Sequence, residues 1–83
     1  MACYCPRQVR HRGRLIEVMF RYGVFMSARI VKGKSLPGIG KSWSYEDHNS
    51  VASRATHAVL RILRRRGEVN QRGNLNACNG CPV

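Results

Sequence analysis

The most apolar stretch of the chain is residues 15–32, LIEVMFRYGVFMSARIVK. As a hairpin with a three-residue loop at Tyr22–Val24, this stretch pairs Phe20 with Met26, Val18 with Ala28 and Ile16 with Ile30, all apolar and on one face. The other face then pairs Glu17 with Arg29 and Arg21 with Phe25. Gly23 falls in the turn, where its conformational freedom is useful; in a helix centre it would cost about 1 kcal/mol. A helix is the competing reading, with Leu15, Val18, Met19, Tyr22, Phe25 and Met26 as its stripe. The frequency of β-branched and aromatic residues favours the hairpin. Gly, Pro and Ser dominate residues 33–42, GKSLPGIGKS, which reads as loop. A short third strand, GKSWS at 40–44, can add to the hairpin's edge.

From residue 48 the period changes. HNSVASRATHAVLRILRRRG places Val51, Ala55, Ala58, Val59 and Ile62 on one side of a helix, with Ala52 and Leu63 at its margin. Ser44 or Asp47 can cap its start, and Glu46 and Asp47 set negative charge at the positive end of the helix dipole. Arg64, Arg65 and Arg66 suit the other end, and Gly67 is a natural stop. Residues 1–14 carry no periodicity and read as a basic tail, and residues 68–83 as an Asn/Gly-rich tail. The pattern therefore predicts one small α+β domain over residues 15–67, a β-hairpin or three-stranded antiparallel sheet packed by one C-terminal helix, with cysteine-bearing tails on both sides.

Charge changes the picture. The chain's 83 residues hold 15 Lys+Arg against 4 Asp+Glu, a formal +11. Such a field attracts polyanions, and the excess of Arg over Lys favours bidentate phosphate contacts. Arg54, His57, Arg61 and Arg64 or Arg65 follow one another at helical spacing, roughly opposite the apolar stripe and with no acid between them. A charge run is ordinarily a solvated face. Here Lys32, Lys34 and Lys41, set among glycines in the neighbouring loop, add positive charge and exposed backbone N–H groups, both suited to phosphate oxygens. Nucleic acid, RNA or DNA, is the expected partner. Tyr22, Phe25, Trp43 and Tyr45 are candidates for base stacking, with core or turn packing as the alternative.

The segment ARIVKGKSLPGIGKSWSYEDHNSVASRATHAVLRIL resembles the C-terminal half of a double-stranded-RNA-binding domain: strand, glycine-bearing turn, short strand, then a helix with small residues against the sheet. Ala55, Val59, Leu60 and Leu63 match that family's apolar helix positions, and Gly38, Gly40 and Ser42 its glycine-serine approach. The family's lysine pair at the helix start corresponds here to His48 and Asn49. The resemblance covers less than half the chain and implies binding to duplex RNA.

Four cysteines sit at the two ends, Cys3 and Cys5 in CYC and Cys78 and Cys81 in CNGC. Four thiolates can close one structural zinc site and clip the tails together. Free thiols, or disulfides in an oxidising setting, are the alternatives. The four carboxylates form no pair placed for acid–base work, and neither G-K-S follows the spacing of a nucleotide-binding loop, so the chain does not read as an enzyme and no small-molecule substrate is expected. No apolar run approaches a membrane span and no secretory apolar core follows the first residues, so no membrane partner is expected and the cytoplasm is the expected location. A second reading is a viral or mobile-element factor, phage proteins included, whose basic surface binds and inhibits an acidic host protein.

Overall fold

The structure is a computed structural model and describes residues 3–76. Four antiparallel strands form one sheet in the order β1-β2-β3-β4: β1 Tyr4–His11, β2 Arg14–Arg21, β3 Val24–Lys32 and β4 Ser42–Ser44. One helix, α1 Ser50–Arg65, covers one face of this sheet. The expected α+β domain is thus present, with one strand more than the sequence suggested.

That extra strand comes from the segment read as an N-terminal tail. β1 pairs with the whole of β2, from Tyr4↔Arg21 to His11↔Arg14. Cys5 and Val9 are buried, whereas Tyr4, Pro6, Gln8 and Arg10 are exposed on the other side. Two apolar inward positions and a central proline make a faint signal. Pro6 is tolerated because β1 is an edge strand and a missing N–H costs little there.

Residues 15–32 form the hairpin and not the helix. Val18↔Ala28, Ile16↔Ile30 and Glu17↔Arg29 pair as the alternation requires. The turn is shorter than expected, two residues instead of three, with Tyr22 at φ 52° and Gly23 at φ 81°. A register shift between Met19 and Phe20 absorbs the difference, so Phe20 faces Phe25 and not Met26, and Arg21 faces Val24. The two phenyl rings meet edge to face, centroids 6.5 Å apart at 82°. β4 adds to the edge of β3 through Ala28↔Trp43.

The core lies between the sheet and α1, with Phe20, Ile16, Leu63, Val9, Val18 and Val59 fully buried. Trp43 is buried too, and its indole Nε1 donates to Thr56 Oγ1 at 2.9 Å. On α1 the buried residues are Ala52, Val59 and Leu63. The expected centre of the stripe, Val51, Ala55, Ala58 and Ile62, is only half-buried. Leu36 and Ile39 of the glycine loop are partly buried against the same core as Ala55 and Ile62. The cap is neither Ser44 nor Asp47. Asn49 Oδ1 accepts from Ala52 N at 2.8 Å, while Asp47 Oδ2 accepts from Ser44 N at 2.7 Å and closes the preceding turn.

At the other end Gly67 takes φ 78°, its N–H reaching Arg64 O and that of Glu68 reaching Leu63 O, both at 3.0 Å. This double closure is the Schellman motif. The expected Asn/Gly-rich tail is, through residue 76, packed against the domain. Val69 and Leu75 bridge each other and are buried, and Leu75 N donates to Gly23 O at 2.9 Å.

Candidate nucleic-acid interface

Burial of Ala52, Val59 and Leu63 fixes the rotation of α1 and so decides which side chains meet solvent. Residues about half a turn away point outward. Arg54, His57, Arg61 and Arg65 occupy those positions and all four are exposed. From Arg54 to Arg65 the row runs about 16 Å along the helix axis. Among the described residues no carboxylate lies within ion-pair distance of Arg54, Arg61 or Arg65. At its N-terminal end the row borders a shallow recess that His57 shares with Phe25, Tyr45 and Asp47.

The three consecutive arginines at the helix end separate by role. Arg64 is half-buried and its Nε donates to Asn70 O at 3.3 Å, tying α1 to the segment beyond it. Arg66 Nη1 donates to Gln8 O at 2.9 Å and lies 3.8 Å from Glu68 Oε2, tying the helix end to β1. Only Arg65 of the three joins the outward row. The sequence could not make this division, because it depends on where the chain turns after Gly67.

Lys32, Lys34 and Lys41 are exposed, as expected, at the end of β3 and in the loop that leads to β4. The root of that loop is seated on the β1–β2 turn. Arg14 Nε donates to Lys34 O at 2.8 Å and Arg14 Nη2 to Ser35 O at 3.4 Å. This contact brings Lys32 and Lys34 to the end of the sheet where Arg10 and Arg12 stand. Sequence reading left both arginines in a tail and missed them. Arg12-Gly13, two residues between flanking strand patterns, was the signal that could have found the turn.

None of the chain's four Asp and Glu side chains pairs with Arg54, Arg61 or Arg65. Glu17 pairs with Arg29 at 2.9 Å, and Glu68 pairs with Arg7 at 3.0 Å. Glu46 and Asp47 lie in the turn before α1.

Of the aromatic candidates, Trp43 belongs to the core and Phe25 packs against it. Tyr22 and Tyr45 are exposed. Tyr4, unremarked in the sequence, is exposed too, and the Arg21 guanidinium lies 6.0 Å from its ring centre and 5.8 Å from that of Tyr22.

Cys3 and Cys5 are buried, and both are disulfide-bonded. Their sulfurs stand 3.9 Å apart, so they are not bonded to each other. Cys78 and Cys81 lie outside the described residues. A disulfide sulfur offers zinc no thiolate, so zinc at Cys3 and Cys5 requires the reduced chain. Among the described residues no group of three or more His, Cys, Asp or Glu is placed to hold a metal ion, and no helix is long and apolar enough to cross a membrane.

No protein family, curated protein or solved structure matches this chain.

Proposed function

We propose that this domain binds nucleic acid by its phosphate backbone, with the outward row Arg54, His57, Arg61 and Arg65 as a principal contact. The observation that carries the reading is the lack of compensation along that row. Soluble helices more often intersperse charges of both signs, and here three guanidinium groups lie on one exposed face with no carboxylate in ion-pair reach among the described residues. Guanidinium groups match phosphate oxygens in geometry and lose little hydration on contact. A span of about 16 Å suffices for several successive phosphates, which rise about 3.4 Å apart along one strand of a duplex. The order strand, glycine loop, short strand and helix, together with the resemblance to the C-terminal half of a double-stranded-RNA-binding domain, makes duplex RNA the first ligand to test.

The test is a titration of the full chain against RNA and DNA duplexes of one sequence over a series of salt concentrations. Phosphate contact gives a log–log slope of about −0.9 for each phosphate neutralised. The triple variant Arg54→Gln, Arg61→Gln and Arg65→Gln is expected to flatten the slope by about 3. A slope near zero for the unaltered chain, or stoichiometric capture of one host protein that nuclease treatment leaves unchanged, would overturn the reading.

A further inference from the structure

We infer that the β1–β2 turn and the root of the glycine loop form a second phosphate-contacting surface, built from Arg10, Arg12, Lys32 and Lys34. This inference rests on the nucleic-acid reading above and extends it to residues outside α1. Three observations carry it.

The first is convergence. Pairing sets Arg10 beside Leu15, and Leu15 beside Lys32, in one row across three strands. Neighbouring strands lie about 4.8 Å apart, so the backbones of Arg10 and Lys32 stand about 10 Å from each other. Arg12 sits at the tip of the adjoining turn. Lys34 is brought there by its own carbonyl, which accepts the Arg14 Nε hydrogen bond at 2.8 Å. The fit is close: at Gly33 a Cβ would stand 3.0 Å from Arg14 Cγ and 3.1 Å from Gly13 O. Loop and turn are therefore one packed body, and the cluster is assembled before any ligand arrives. Preassembly of this kind reduces the ordering cost of binding.

The second is charge. Arg10, Arg12, Lys32 and Lys34 are all exposed, and among the described residues none of the four forms an ion pair with a carboxylate. The nearest along the strands, Glu17, is taken by Arg29. Four like charges held together without an acid repel one another, and a polyanion relieves that repulsion. Extended phosphodiester backbone matches four cations spread over a turn and a loop better than a single small anion does.

The third is the backbone at Arg12. Its φ is 50° and that of Gly13 is 75°. Turns with both central residues left-handed favour Asn, Asp or Gly at the first position, and arginine is disfavoured there. Strain of this kind clusters at functional sites, where the side chain is worth more than the conformation costs. Arg12 is exposed, and among the described residues it forms no ion pair.

Two variants of the full chain test the surface by duplex titration across salt, with thermal unfolding in parallel. The quadruple variant Arg10→Gln, Arg12→Gln, Lys32→Gln and Lys34→Gln is expected to flatten the log–log slope by about 3.5 and to keep or raise the unfolding temperature. The single variant Arg12→Asn is expected to bind more weakly, with a slope lower by about 1, while unfolding at the same or a higher temperature. Loss of stability in Arg12→Asn would make Arg12 a fold residue and overturn its assignment. A quadruple variant that keeps the full slope, while the α1 triple variant loses its share, would overturn the second surface and leave the nucleic-acid reading standing. An unaltered chain without salt-dependent binding would overturn both.

Discussion

At Gly33 the backbone takes φ 115°, and a Cβ would meet Arg14 Cα and Gly13 O at 3.1 Å. Two of its close neighbours are backbone atoms, which cannot swing aside as a side-chain end can. Gly33→Ala is therefore expected to cost about 2–4 kcal/mol in urea unfolding. Gly38 also has positive φ, 82°, but open space around it. Gly38→Ala is expected to cost only about 1 kcal/mol, and equal losses at the two sites would refute the packing of loop on turn. Thr56 makes a similar distinction on α1. Thr56→Val keeps the shape but leaves the buried Trp43 indole N–H without its acceptor, at a cost of about 1–3 kcal/mol. Tryptophan fluorescence in the folded state should shift as well. Arg64, Arg65 and Arg66 show how far neighbours in sequence can diverge: the first and third spend their guanidinium groups on backbone carbonyls, and the second faces solvent.

The helix holds its place through its ends as well as its face. Asn49→Ala removes the acceptor of Ala52 N and is expected to cost about 1 kcal/mol, whereas Ser44→Ala, at a position sequence reading offered as the cap, should cost less. Circular dichroism during urea unfolding checks both. Much of this architecture was legible in the sequence because periodicity reports directly on burial. The alternation of Ile16, Val18, Ala28 and Ile30 gave the central hairpin its face, and the Glu17–Arg29 pair followed from the same register. Trp43 marked the short fourth strand, and Gly67 the helix end. β1 was hidden because its inward positions hold only Cys5 and Val9 as apolar residues, with Pro6 between them. A strand that is buried on one side by only two small or medium side chains looks like a basic linker. The rotation of α1 was hidden for another reason. Its apolar arc is wide, and periodicity alone does not say which part of the arc is buried: Ala52, Val59 and Leu63 are, while Val51, Ala55, Ala58 and Ile62 are only half-buried. The outward row survived this uncertainty because it lies opposite the whole arc. The second cationic cluster did not, because it needed both the missed strand and the Arg14 hydrogen bonds that no local pattern encodes.

As one body, the chain combines a small core with a formal charge of +11. Self-repulsion at that charge opposes compaction, and a domain of this size leans on cross-links. The disulfides at buried Cys3 and Cys5 answer that need. A native disulfide in a small domain stabilises by roughly 2–5 kcal/mol. Both cysteines are expected to resist alkylation in the folded, unreduced protein, and reductant is expected to lower the urea midpoint. Ready alkylation of either one without reductant would contradict the bonded state. The same charge defines the function proposed. Salt, which screens repulsion within the fold, also competes with a polyanion for the cations on its surface. Affinity for a duplex measured against salt concentration, on the unaltered chain, therefore decides the matter. The two cationic surfaces together predict a steep decline, with a log–log slope of about −6 or steeper that flattens stepwise when either surface is neutralised. A shallow slope that neither set of substitutions changes would contradict phosphate contact at both.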